Sequence, residues 1–382
     1  MRIALVFALL AALPAAAKVK VGDVRAAHAQ SPHPYPVGAD HRPVVWTDTV
    51  RSPGAEFVRV HFSSLDLAEG DFVTVASPDG GQSWTYFGKG PQGTGEFWAF
   101  AIDGDTAIVD LHGGGTRGHG YAIDAVGHGT QKLGASPTPE VVCGTDGRED
   151  VACHLPETDA AQKPVARLLF TSRGSQFLCT GWLVAGSIAN TMLTNNHCFK
   201  TQKEVNTVQA MFNFQRTACG GSTNATATSY NGGTFLRTNS LDRKGSKGGL
   251  DYTIFTLQGS PASVWGVLVA TTKAVAVGDL IWFVQHPAGG VKKIGYWEDS
   301  SQTARCKVDA TNQTYGRSAP NSQTAYGCDS EGGSSGSPIV DAFTGHVISL
   351  HHFGGVGACL NGGTAMAAIC SDAGALLSCV SD

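Results

Sequence analysis

No cysteine stands before Cys143, and none of the ten cysteines forms a Cys-x-x-Cys pair. The first absence divides the chain into a cysteine-free front and a cysteine-bearing back. The second argues against structural zinc, which uses paired ligand spacing. Charge is scarce as well: Asp, Glu, Lys and Arg make up 15% of the 382 residues, and the net charge is −4. That argues against a polyanion-binding surface, so no nucleic-acid partner is expected. Beyond the first residues no run is long and apolar enough to cross a bilayer as a helix. Internal repeats and long amphipathic helical stretches are also missing.

What is present points to strands and turns. Hydrophobic residues make up 42% of the chain, and there are 49 glycines. Arg2, the apolar run Ile3 to Ala12 and the small residues Ala15-Ala16-Ala17 have the order of a signal peptide. Residues 1–17 are read as that peptide, and the protein is expected to be secreted, with no membrane attachment after cleavage. An even number of cysteines in an exported chain implies disulfides.

Residues 18–42 are polar, with Pro32, Pro34 and Pro36, and are expected to be extended. From 43 to 133, short strands recur at Val44–Trp46, Phe57–Phe62, Phe72–Val75, Trp84–Phe87, Phe97–Ile102 and Ala107–Leu111. That spacing predicts a β-sandwich. His112, His119 and His128 lie in its Gly-rich tail without ligand spacing, and Asp103-Gly104-Asp105 reads as a hairpin turn rather than a calcium loop. No metal or cofactor is expected. Residues 134–140 read as a linker, and 141–382 as one large all-β domain.

Three stretches of that domain carry chemistry. Thr194-Asn195-Asn196-His197-Cys198 places a histidine after a strand and beside a cysteine. Leu250-Asp251-Tyr252-Thr253-Ile254-Phe255 places a carboxylate at the mouth of an apolar strand. Gly333-Ser334-Ser335-Gly336-Ser337-Pro338 offers a hydroxyl in a small-residue turn, where glycine lets backbone N–H groups converge on an oxyanion. Serine attacks only when a base takes its proton and a third group orients that base. Read alone, the Gly/Ser run is a flexible loop; its two companions make it a candidate nucleophile turn.

With Cys179-Thr180-Gly181 added, these motifs resemble the chymotrypsin-like (trypsin-fold) serine peptidases, and most of all the bacterial lysyl and glutamyl endopeptidases. The chain order His, Asp, Ser fits that family and not the subtilisins. The resemblance covers roughly 141–382 and implies a two-barrel peptidase domain behind the N-terminal β-sandwich. It implies Ser335 as nucleophile, His197 as base, Asp251 as orienting acid, and the N–H groups of Gly333 and Ser335 as the oxyanion hole. The register of glycines selects Ser335 over Ser330, Ser334 and Ser337. Among the other histidines, His286 and His346 read as structural, and His351 matches the strand that lines the substrate cleft.

The resemblance also bears on specificity and disulfides. Asp329 lies at the offset where trypsin has the base of its Lys/Arg pocket. The lysyl endopeptidases use an acid after the cleft strand, where this chain has Asn361 and no acid. Asp329, Ser349, His351 and Asn361 are the expected substrate-binding residues, and a Lys/Arg preference is one expectation. Cys179–Cys198 would bracket the histidine, Cys306–Cys328 would anchor the active-site loop, and Cys143–Cys219 resembles a lysyl endopeptidase pair. The pairing of Cys153, Cys359, Cys370 and Cys379 stays open. The expected protein is a monomeric secreted serine endopeptidase acting on proteins or peptides. Its front part is expected to be a removable propeptide or an accessory domain. The alternative is a binding or adhesion protein on an inactive peptidase scaffold.

Overall fold

Strands dominate the structure: Phe72–Ala76 and Thr106–His112 alternate buried and half-buried residues, whereas Gln323–Tyr326 and Pro338–Asp341 are buried throughout. The computed structural model describes residues 18–381 apart from 37, 39–40, 115–117, 133–138, 143, 245–246 and 357–358. The expected signal peptide, most of the expected linker and Cys143 lie outside the described residues.

The front part contains β1 (Val19–Gln30), β2 (Val44–Arg51), β3 (Phe57–Asp66), β4 (Phe72–Ala76) and β5 (Ser83–Phe87). It continues with β6 (Phe97–Trp98), β7 (Ile102–Asp103), β8 (Thr106–His112) and β9 (Gly120–Gly129). Two short strands follow, β10 (Pro139–Val141) and β11 (Arg148–Asp150). Then come β12 (Val165–Ser172), β13 (Ser175–Leu183), β14 (Thr191–Thr194), β15 (Gln209–Phe212), β16 (Thr228–Asn239) and β17 (Tyr252–Leu257). The last part holds β18 (Ile281–Gln285), β19 (Lys293–Gly295), β20 (Val308–Gln313) and β21 (Gln323–Tyr326). It ends with β22 (Ser330–Glu331), β23 (Pro338–Asp341), β24 (Val347–Val356), β25 (Leu360–Ala365) and a helix over Met366–Ala373.

β12 to β17 close into a barrel, because β12 pairs with both β15 and β13. Its interior is filled by Leu168, Phe170, Met192, Phe199, Phe212 and Phe255, all buried. Burying each such side chain contributes about 1.5–3 kcal/mol. A second, eight-stranded sheet runs β11-β19-β18-β23-β24-β25-β21-β20. Trp182, Leu193 and Ile254 of the barrel pack with Val284, Val340 and Leu350 of this sheet in one core. β10 pairs with β22 beside the serine loop.

The front strands β2-β8-β4-β5 form a four-stranded sheet. β8 alternates buried and half-buried residues, the pattern of a strand with one face on a core. Its buried residues Ala107, Val109 and Leu111 share a core with Val58, Val60 and Phe62 of β3. The expected single strand Phe97–Ile102 is two short strands, β6 and β7, both paired with β3. Residues 19–30 of the segment expected to be extended form β1. This strand pairs with β9 on one side and β13 on the other, so the front and the barrel share one continuous sheet. Arg59 of β3 reinforces the junction: it is buried and donates to Ala99 O, Gln176 Oε1 and Thr207 O.

Candidate active site

Pairing of β14 with β17 decides where histidine and aspartate meet. Thr194 lies opposite Thr253, so the loop leaving β14 and the residue entering β17 are at the same end of the barrel. His197 Nδ1 is 2.7 Å from Asp251 Oδ2, and the backbone N–H of His197 donates to Asp251 Oδ1 at 2.9 Å. Asn195 Nδ2 donates to Asp251 O at 2.9 Å. Asp251 is fully buried, and its φ of 49° lies in the left-handed region that aspartate tolerates better than most residues. Burial alone would raise its carboxyl. His197, followed by His352, outweighs burial and holds it at about 2.

The serine loop is delivered by the second sheet and clasped by β13. Thr180 N–H donates to Ser335 O at 2.9 Å, and Thr180 Oγ1 donates to Gly333 O at 2.8 Å. Ser334 Oγ donates to Gln285 Oε1 at 2.6 Å, and Ala288 N–H donates to Gly332 O at 2.7 Å. Both glycines flanking the loop's tip are required. A Cβ on Gly333 (φ 99°) would stand 2.9 Å from Gly289 N; one on Gly336 (φ 91°) would stand 2.1 Å from Thr180 O and 2.4 Å from Thr194 Oγ1. Ser335 Oγ and His197 Nε2 are both buried and have no hydrogen-bond partner among the described residues.

The four expected substrate-binding residues are all buried. Asp329 Oδ2 accepts from Gly147 N–H at 2.7 Å. His351 Nδ1 is 2.8 Å from Tyr326 Oη. Asn361 accepts from Ser330 Oγ at 2.7 Å and donates to Cys328 O. Ser349 Oγ accepts from Thr324 Oγ1 and donates to Thr364 O. His286 bonds Gly290 O through Nδ1 and, by burial first, is held well below the usual histidine range.

His352 carries a contact that motif reading did not assign. Its Nδ1 is 3.1 Å from Asp251 Oδ2 and its Nε2 is 2.6 Å from Gln323 Oε1. Neighbouring residues on a strand point to opposite faces, so His351 and His352 reach different partners. That alternation was the available signal, but only the fold shows which face meets Asp251.

The disulfides Cys179–Cys198 and Cys306–Cys328 are present, together with Cys153–Cys219 and Cys370–Cys379. The expected Cys143–Cys219 pair is therefore corrected: Cys219 bonds Cys153, with 4.5 Å between their Cα atoms. Cys359 is also disulfide-bonded. Cys179, His197 and Cys198 bring ligand-type atoms within 4.8 Å of one another. Both sulfurs are consumed by the disulfide, so no thiolate is available to hold a metal there.

A closed antiparallel barrel facing a second antiparallel sheet, with His, Asp and Ser loops entering in that order, is the arrangement of chymotrypsin-like serine peptidases. Residues 144–368 match the family described as "Lysyl endopeptidase, C-terminal domain", and the chain belongs to it. The chain is 30% identical over 317 residues to "Secreted RxLR effector protein 73" of Plasmopara viticola, spanning 79% of this chain and 75% of that protein. Among solved structures it is similar to the Rv3671c protease from M. tuberculosis in its active form. The two are 15% identical with a TM-score of 0.43, over 63% of this chain and 92% of that one. It is also similar to a Glu endopeptidase in complex with MPD: 20% identical, TM-score 0.42, over 61% and 96%.

Proposed function

We propose that the protein is a secreted, monomeric serine endopeptidase that cleaves peptide bonds through an acyl-enzyme. The observation that carries this reading is the buried Asp251 carboxylate, which takes both the backbone N–H and Nδ1 of His197. That bond fixes the tautomer in which Nε2 can accept a proton. Ser335 Oγ attacks the scissile carbonyl as His197 takes its proton, giving a tetrahedral oxyanion. His197 then returns that proton to the amine as the C–N bond breaks, leaving the acyl ester on Ser335. Water, deprotonated by His197, releases the acid and restores Ser335. The N–H groups of Gly333 and Ser335 stabilise the oxyanion, at about 3 kcal/mol per donor.

Asp329, Ser349, His351 and Asn361 form the pocket for the residue before the cut bond. The buried carboxyl group of Asp329 supports a preference for Lys or Arg. Residues 43–133 are a β-sandwich that is retained or removed near 134–166, where new N-termini are to be sought. Residues 141–382 form the two-barrel peptidase. A fluorophosphonate tests the core of the reading: covalent label on Ser335 of the folded protein is expected. Absence of label would favour the inactive binding scaffold. A chromogenic peptide panel tests the pocket, and cleavage only after Glu or large apolar residues would remove Asp329 from it.

A further inference from the structure

The first described residues of the chain lie against the active-site loop. One edge of β13 carries three partners in succession. Its residues 175–178 pair with β1, with Val19 opposite Leu178. Thr180 N–H then donates to Ser335 O. Trp182 and Leu183 pair with β14. β1 and Ser335 are thus consecutive occupants of one strand edge. Val19 closes the gap between them: its Cγ2 lies 2.5 Å from the place a Cβ on Gly332 would take.

Lys18 reaches on toward His197. Its Nζ donates to Cys198 O at 3.1 Å and lies 4.2 Å from the Phe177 ring centroid and 5.3 Å from that of Phe170. A carbonyl and two aromatic faces make a site for a cation. Burial, first of all, holds the Lys18 ammonium below the usual lysine range; Glu204 opposes this, and Arg173 and Lys200 add to it. Cys198 follows His197 and is tied to Cys179. His197 must give its proton to the departing amine, so the leaving segment of a substrate runs on this side of Ser335. Extended peptides bind such an edge by adding a strand, and β1 has already done so. The other cleft wall, β24, meets the serine loop through Gly336 N–H and His351 O.

We infer that Lys18–Asp23 occupies the leaving-group half of the cleft as a substrate segment does. Lys18 fills a subsite for a basic side chain built from Phe170, Phe177 and the Cys198 carbonyl, and the intact chain is latent toward peptides that extend past the cut bond. This rests on the peptidase reading above. The test compares the full chain with Lys18→Ala and Val19→Gly versions of it. Internally quenched peptides carry Lys, Ala or Glu at each of the first few positions past the cut, and a fluorophosphonate reports on Ser335 separately. The variants are expected to cleave the quenched peptides at least about tenfold faster in kcat/KM than the intact chain, with Lys preferred to Glu at one of those positions. Fluorophosphonate is expected to label intact chain and variants alike. Lys18→Ala leaves the backbone pairing of β1 in place, so it decides the matter if Val19→Gly disturbs the fold. Labelling with equal peptide cleavage by intact chain and variants overturns the inference, and so does indifference to Lys at every such position. No labelling in any of the proteins defeats the peptidase reading itself, and the inference falls with it.

Discussion

Replacing Asp251 by Asn tests the site through two independent readouts. The carboxylate accepts the His197 backbone N–H on Oδ1, and it faces the Nδ1 atoms of His197 and His352 on Oδ2. If the Asn carbonyl keeps the backbone bond, its NH2 is aimed at both rings. His197 Nδ1 must then accept, Nε2 keeps the proton, and Ser335 loses its base. The expected loss in kcat is on the order of 10⁴-fold, because only the wrong tautomer is stabilised. The second readout is stability. The Asp251 carboxyl sits at about 2 in the fold, against an ordinary 3.8. Between those values the unfolded chain binds the proton more readily than the folded chain. The stabilising contribution is therefore complete above the unfolded value and is lost as pH falls through the folded one. Its size is about 2 kcal/mol. Fluorophosphonate labelling rates measure the first effect. Urea melts of wild type and Asp251→Asn, compared at pH 5 and near pH 2, measure the second. A variant that keeps activity within about tenfold of wild type, by the same tautomer argument, would refute the assigned role of Asp251.

Other perturbations follow from the same geometry. Gly336→Ala puts a Cβ 2.1 Å from Thr180 O at a φ of 91°. It is expected to cost about 1–3 kcal/mol in thermal melts and to slow labelling of Ser335. Replacing Cys179 and Cys198 together by Ser is expected to cost about 2–4 kcal/mol in denaturant melts and to reduce kcat by loosening His197. Arg59→Ala removes donors to Ala99 O, Gln176 and Thr207 O across the front–barrel junction. Hydrogen exchange is expected to rise in β1 and β3 before the barrel interior changes, because buried acceptors lose their partner.

Much of the candidate site was legible because the residues proposed for it lie in short, contiguous motifs. Thr194–Cys198, Leu250–Phe255 and Gly333–Pro338 each carry their own turn and strand signals, and each occupies the predicted kind of position. The same holds for β4 and β8, where burial alternates residue by residue. What escaped was non-local. The polar stretch after Lys18 has little hydrophobic periodicity of its own, yet it becomes a strand because β9 and β13 both offer it an edge. Cysteine spacing could not separate Cys143 from Cys153 as the partner of Cys219, since chain separation says little about which Cα atoms come close. His352 lacked a motif, because its partner Asp251 lies 101 positions away.

The position of β1 also bears on how the molecule folds. Val19 pairs with Leu178, some 160 residues later in the chain, so β1 is made well before its second edge can be filled. Closing so long a loop carries a large entropic cost, and pairings of high contact order form slowly. β1 can meanwhile pair with β9, which leaves its other edge open as a template for the incoming β13. The front of the chain thus offers the barrel a ready-made edge on which its second strand can align, and assembly of the peptidase barrel is coupled to prior order in the residues ahead of it.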